Sequence, residues 1–252
     1  MPAEENKPIV TAEKYIAYKR KNGLLKDFHP PKIVIICYQQ SALQHLLKTI
    51  PNMKLSQCVP NLYLFHEGQI GVLGGWGLGA PALSVELEEL IVLGVKKFIA
   101  VGMAGTLLQK HAIADFIVTP KALAEDGVAH LYLEGKHFAE ADKQLLREWN
   151  RFVAEHSLPH FHEASTWSFS TIYKETPEDI DRVTKLGYDV VDMEAATLYA
   201  IGQDKGVQTL SLFVISDSIT LVDWTPLIKE QTVSDNLHRL AQWVVTFCRM
   251  IG

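Results

Sequence analysis

The chain has 252 residues, 48% of them apolar and 21% charged, the balance of an ordinary globular protein and enough to bury the core of one large α/β domain. A formal net charge of −5 gives no overall attraction to nucleic acid or to an anionic membrane surface, so neither is an expected partner. Three cysteines, Cys37, Cys58 and Cys248, stand far apart without a CxxC pair, which points away from a disulfide framework or a zinc site and suits a reducing cytoplasm.

The opening M-P-A-E-E-N-K has no apolar stretch behind a basic start, and no apolar run reaches the length of a membrane span, so a cytoplasmic location is expected. Residues 1–31 are polar, carry the basic cluster Lys19, Arg20 and Lys21, and close on His29-Pro30-Pro31; they read as an N-terminal arm or short helix outside the main core. Residues 32–252 show no linker, repeat or low-complexity tract and read as one domain.

That domain begins with K-I-V-I-I-C (32–37), a continuous apolar run of the kind that forms a buried parallel strand. Further strands are expected at Leu62–Phe65, Gln69–Leu73, Lys97–Val101, Asp115–Thr119, Asp189–Val191 and Thr209–Ile215. Between them, Leu83, Leu87, Leu90 and Ile91 recur at helical spacing opposite Glu86, Glu88 and Glu89, in a helix ending at Gly94. Residues 140–154 predict another helix, Ala195–Ile201 a third stopped by Gly202 and Gly206, and Leu237, Leu240, Ala241, Val244, Val245 and Cys248 a strong C-terminal one. Strands alternating with helices imply a twisted, mixed, mostly parallel sheet flanked by helices on both faces.

In such a sheet, ligands bind beyond the carboxyl ends of the strands. Four places there carry chemistry: Cys37-Tyr38-Gln39-Gln40-Ser41, Gly102-Met103-Ala104-Gly105, Asp192-Met193-Glu194 and Ser216-Asp217-Ser218. Singly, each acid reads as a helix cap or a turn former. Together, Glu194 and Asp217 are expected to converge on one crevice as a carboxylate pair able to bind sugar hydroxyls or act as a general acid. The loop G-G-W-G-L-G-A (74–80) only weakly resembles a dinucleotide fingerprint, because no acid follows about 20 residues on; its glycines, Gly77 and Gly79 among them, read as letting backbone approach a small ligand. His156, His160 and His162 have no companion acid or cysteine at a metal-binding spacing and read as a surface loop running into a strand, so no metal is expected.

Four segments in order resemble the nucleoside phosphorylase superfamily, the group that contains uridine phosphorylase, purine nucleoside phosphorylases and methylthioadenosine/adenosylhomocysteine nucleosidase. They are G-L-G-A-P (77–81), L-G-V-K-K-F-I-A-V-G-M-A-G-T-L (93–107), V-V-D-M-E-A-A-T-L-Y (190–199) and V-I-S-D-S (214–218). The resemblance implies cleavage of the N-glycosidic bond of a nucleoside, purine favoured, by a homo-oligomer without a cofactor. It places Glu194, Met193 and Asp192 on the ribose, and it makes Asp217 the catalytic acid on the base. It also puts Trp167, Ile172 and Tyr173 in the base pocket, and Gly77, Gly79, Gly102, Met103, Gly105, Gln39 and Ser41 in the loops lining the crevice and its acceptor end. Phosphorolytic relatives carry arginines where this chain has Ser41 and Ala100, and hydrolytic relatives a glutamate where it has C-Y-Q-Q-S. Phosphate as co-substrate, water as acceptor, and a catalytically silent nucleoside-binding protein therefore all remain open from sequence.

Overall fold

The computed structural model describes residues 8–26 and 28–252. Met1 to Lys7 and Asp27 lie outside the described residues, and with them the reading of the extreme N-terminus and of that part of the arm. The remaining arm is a helix, α1 (Ala12–Lys21), opened by the Thr11 side chain accepting from Lys14 N–H and closed by Lys19, Arg20 and Lys21 in its last turn, where cations suit the helix dipole. The expectation that it stands outside the core is corrected. Ile16 is 1% exposed and joins the main core with Leu25, and Lys19 Nζ bonds Glu89 at 2.6 Å.

The first strand, β1 (Ile33–Cys37), is buried along its whole length, as its unbroken apolar run demands, and leads into α2 (Gln40–Thr49). Next come β2 (Lys54–Leu55), β3 (Leu62–Phe65) and β4 (Ile70–Gly74), an antiparallel meander at one edge. Helix α3 (Ala80–Leu93) then ends at Gly94 as expected. Strand β5 (Lys97–Leu107) has eleven residues and runs well past the expected Val101. After β6 (Phe116–Thr119), β7 (Lys121–Glu125) and β8 (Phe138–Glu140), helix α4 (Lys143–Glu155) starts where Asp142 accepts from Leu145 N–H. There follow β9 (Phe161–Glu163), β10 (Thr166–Phe169), α5 (Pro177–Lys185), β11 (Val190–Asp192), α6 (Ala195–Lys205), β12 (Gln208–Ile219), β13 (Trp224–Pro226) and α7 (Gln231–Ile251). Helix α6 does not stop at Gly202, which lies inside it against Thr209, but at Gly206 in the left-handed conformation.

The described residues form one sheet of thirteen strands. Its path is β2-β3-β4-β1-β5-β11-β10-β7-β8, with β12 along the other edge of β5 and β13, β6 and β9 attached beyond it. The central run β4-β1-β5-β12 is parallel, as are β11-β10-β7 and β6-β9, while antiparallel pairings, each four residues or fewer, link β11 to β5 and attach β2, β3, β6, β8 and β13. Helices α1, α3 and α6 pack as one group and α2 and α7 as another, which gives the mixed α/β domain its covering layers. Under α4 and α7, Trp149, Phe152, Phe161 and Phe247 meet with ring centroids 5.2–5.5 Å apart, a contact at which truncating one ring costs about 3–5 kcal/mol.

Candidate active site

The long strand β5 creates the site. On one edge, β1 pairs with its first half, Lys97 to Val101, and β11 comes from the opposite direction to pair with Gly105 and Thr106. Both strands therefore end facing Gly102 to Ala104, and their strand-to-helix joints meet across that gap. On the other edge, the register between β5 and β12 shifts between Ile215 and Asp217, so Ser216 is an extra residue. Such a bulge bends a strand and re-aims the next side chain. A cavity of about 340 Å³ opens at this place, lined by residues of all four elements, and its volume is that of a small-molecule site.

The two acids of the β11–α6 joint have separate fates. Asp192 is 6% exposed and its carboxylate is saturated: Oδ1 accepts from Thr166 Oγ1 (2.9 Å) and Ser168 Oγ (2.6 Å), and Oδ2 from the backbone N–H groups of Glu194 (2.8 Å) and Ala195 (2.6 Å). It is the cap that starts α6. Its expected place on the ribose is corrected, because a carboxylate with four donors in place has no oxygen left for a diol. Burial pushes this carboxyl up and the donors oppose it. Glu194, 5% exposed, is bound at Oε1 by Gly79 N–H at 2.7 Å, an approach the backbone reaches with Gly79 at φ +83°. Burial first, then the negative charge of Asp192, pushes Glu194 up to about 8 against the pull of that N–H. Met193 lies beside it in the cavity lining.

At the β12 side, Asp217 accepts from Ser216 Oγ at Oδ1 (2.6 Å) and from Trp224 Nε1 at Oδ2 (2.8 Å). Trp224 reaches it because β13 folds back antiparallel on β12, with Asp217 opposite Pro226. A third carboxyl, Glu175, enters from the turn after Ile172–Lys174; burial first, then the charge of Asp217, raises it to about 7. Ile172 and Tyr173 line the same cavity at its exposed rim.

The β1–α2 joint supplies no charge. The Tyr38 ring lies across β5 at Gly102, where a Cβ would sit 2.7 Å from Tyr38 Cδ2, so glycine is required there. Its phenol points inward over the face shared by Ala100 and its register partner Ser211. Among the described residues, Tyr38 Oη and Ser211 Oγ are buried and lie close enough for Ser211 to lower the phenol's ionisation, but neither makes a well-formed hydrogen bond. Burial and the charges of Glu194 and Asp192 hold the phenol well above the usual tyrosine range, so it stays a neutral O–H. Gln39 also lines the cavity and carries a buried, unpartnered Oε1.

Of the residues singled out by sequence, the structure gathers Asp217, Asp192, Glu194, Met193, Ile172, Tyr173, Met103, Gly105 and Gln39 around the cavity. Others stand elsewhere. Trp167 is fully buried beneath the site, stacked on Phe169 and bonded through Nε1 to Glu125 at 2.7 Å, because alternation on β10 turns it inward. Ser41 is exposed on α2, the ring of Tyr38 covers Gly102, and Leu78 stands in the lining rather than Gly77 or Gly79. Sequence reading passed over Glu175 and Trp224, while Leu78 falls in the 77–80 loop expected to line the crevice. Glu175 lies in the charged stretch Y-K-E-T-P-E-D, where nothing local distinguishes an inward carboxyl from solvated ones. His162 pairs with Asp115 at 3.5 Å, and no group of three His, Cys, Asp or Glu among the described residues is placed to hold a metal. None of the described helices is long and apolar enough to cross a membrane.

Comparison with known proteins agrees with this architecture. A family model described as the phosphorylase superfamily matches residues 32–249. The chain belongs to the phosphorylase superfamily. It is 30% identical over 178 residues to a DeoD-type purine nucleoside phosphorylase of Clostridium beijerinckii and 28% identical over 179 residues to that of Tolumonas auensis, in each case over 70% of this chain and 75% of the relative. Among solved structures, the purine nucleoside phosphorylase of Toxoplasma gondii in complex with immucillin-H superposes with a TM-score of 0.77 at 18% identity, covering 88% of this chain and 92% of that one. The 5′-methylthioadenosine/S-adenosylhomocysteine nucleosidase of Campylobacter jejuni superposes with a TM-score of 0.73 at 15% identity over 87% and 99%. Glu175, Asp192, Glu194 and Asp217 line the cavity, and among the described residues no Lys, Arg or His does so.

Proposed function

We propose that the chain cleaves the N-glycosidic bond of a nucleoside, a purine nucleoside by preference, as part of nucleoside metabolism or salvage. The observation that carries this reading is the placement of Glu194, at the end of β11, and Asp217, just past the bulge inside β12, on one cavity of suitable size. A carboxyl such as Glu194 can take the ribose hydroxyls, with Met193 against the sugar and Ile172 and Tyr173 against the base. As the C1′–N bond breaks, its electron pair goes to the base and positive charge grows on the sugar ring. The surrounding carboxyl groups favour that charge, and a proton on the base makes it a better leaving group. The purine preference is supported by the relatives from Clostridium beijerinckii and Tolumonas auensis, both named purine nucleoside phosphorylases.

The lining favours water over phosphate as acceptor. A phosphate dianion depends on charge-assisted donors, and among the described lining residues the groups on the acceptor side are the Tyr38 phenol, the Gln39 amide and backbone. A cation brought by a neighbouring subunit would supply the charge that phosphorolysis otherwise lacks here. The apolar rim of Leu78, Ile172, Tyr173, Trp224 and Ile228, exposed by between 46% and 83%, suits a homo-oligomer in which such a neighbour stands close. No cofactor enters this scheme, and phosphate would be a co-substrate only. The proposed setting is the cytoplasm.

Base release from a panel of purine and pyrimidine nucleosides, with and without phosphate, tests the reading, with free base and ribose 1-phosphate followed separately. Phosphate-independent release from purine nucleosides is the expected result. Phosphate-dependent release with ribose 1-phosphate would show the phosphorolytic form. Glu194→Ala is expected to cut turnover by at least about 100-fold, and unchanged turnover and nucleoside affinity in that variant would reject the site.

A further inference from the structure

Glu175 has no structural task that the fold reveals. Among the described residues its carboxyl makes no hydrogen bond and no ion pair, whereas the other partly buried acids nearby are tied down. Glu125 is held by the Arg182 fork and Trp167 Nε1, and Asp179 by Thr176 and Arg182. Its neighbours in the turn, Tyr173, Lys174 and Thr176, are exposed, yet Glu175 turns inward to line the cavity. The charged groups around it are almost all acids. From β12 it faces Asp217, and from the β11–α6 joint the cavity brings Asp192 and Glu194. Asp223 stands beside Trp224 in the hairpin, Glu178 and Asp179 lie in the first turn of α5, and Lys174 adjoins it on its own turn, solvent-exposed. Asp217, meanwhile, uses both oxygens as acceptors, from Ser216 and Trp224.

We infer that Glu175 is a second catalytic carboxyl of this site, the one that carries the proton to the departing base, while Asp217 orients that base as an acceptor. The inference rests on the glycosidic-cleavage reading above. In the step, the C1′–N bond breaks and its electron pair moves into the base. A ring nitrogen of the base takes the proton from the Glu175 carboxyl, leaving a carboxylate. The acceptor oxygen bonds to C1′ and gives up its own proton, which returns Glu175 to its starting form. With water as acceptor the balance is nucleoside plus water to free base plus ribose; with hydrogen phosphate the same proton count holds. A half-buried carboxyl beside a second acid is a physical arrangement that keeps a proton available near neutral pH, and here it raises the ionisation of Glu175 to about 7. Activity that needs this proton is present below that point and falls as pH rises through it.

The test compares inosine with 7-methylinosine, whose base already carries positive charge and leaves without a proton from the protein. Glu175→Gln is expected to lower kcat on inosine on the order of 100-fold and to remove the fall in rate above neutral pH, while changing kcat on 7-methylinosine only a few-fold. Glu175→Asp, which keeps the proton, is expected to retain most activity on inosine, and thermal melting of each variant checks that the fold persists. Equal loss on both substrates would make Glu175 a structural residue and overturn the inference, as would no loss on inosine. If the unmodified protein releases base from neither substrate, the glycosidic reading itself fails and takes this inference with it. If that protein is active and Glu194→Ala is not, while Glu175→Gln behaves as wild type, the reading stands and the inference alone is rejected.

Discussion

Two strand-to-helix joints meet on one edge of β5, over Gly102 to Ala104, and they satisfy the same backbone need with different chemistry. At the β11–α6 joint the free N–H groups of the helix start are all engaged: Asp192 takes those of Glu194 and Ala195, Ser168 Oγ that of Ala196, and Asp126 that of Thr197 at 3.0 Å. At the β1–α2 joint the cap residue Gln39 makes no side-chain cap bond and the first turn holds no acid. The first joint is thus a rigid array that holds Glu194 in one place. The second is filled by an aromatic ring lying over a glycine, and it brings no charge to the cavity. The side of the site that would hold a sugar is over-determined by hydrogen bonds, and the side that would hold the acceptor is left to packing.

Removing the centre of the first array has the largest expected effect. Asp192→Ala strands two hydroxyls and two helix-start N–H groups in a buried setting, and should cost about 3 kcal/mol or more in a denaturant titration. A loss below about 1 kcal/mol would show that the array does not hold the joint. Glu194 sharpens the contrast through pH. Its folded-state ionisation is raised from 4.5 to about 8, so the folded protein holds a proton that the unfolded chain gives up earlier. The stability linked to it is fully present below 4.5 and is lost as pH rises through about 8. Glu194→Gln should therefore match wild type in acid and exceed it in stability by roughly 2 kcal/mol or more above the raised value, read from unfolding midpoints across pH. Parallel curves for the two proteins would break the assignment. The smallest effect is expected at the second joint. Tyr38→Phe removes a buried, unpartnered hydroxyl but keeps the ring over Gly102, and should leave stability within about 1 kcal/mol of wild type, on the stabilising side. A clear loss would mean that the phenol holds the acceptor side together.

The central architecture was legible because its signals are local. Ile33–Cys37 reads as a buried strand from five consecutive apolar residues, and α3 and α7 from their helical spacing. Strand β5 was read at half its length, because K-F-I-A-V is an apolar run but G-M-A-G-T-L is not. Only pairing with β12 along all eleven residues keeps that second half extended. The segment before residue 32 was misplaced for a related reason: a mostly polar helix buries a single Ile16, and one apolar residue makes no stripe.

At the site, residue types and order pointed to Glu194, Met193 and Asp217 as cavity residues, since ligands bind beyond the carboxyl ends of strands in such a sheet, although Asp217 lies inside β12 past its bulge and β11 runs antiparallel to β5. Sequence could not divide labour between Asp192 and Glu194, two acids in the same joint. Tertiary structure did so by giving four donors to one and a single backbone N–H from a distant loop to the other. Nor could it tell Trp167 from a pocket residue or find Glu175, because which way a side chain faces depends on strands and turns brought together from far along the chain. From residue order alone came the central strands and helices, the family and the carboxyl groups available. The fold decided which of those groups are buried, which are tied down and which face the cavity, because burial and hydrogen-bond partners, unlike residue identity, exist only once distant segments meet.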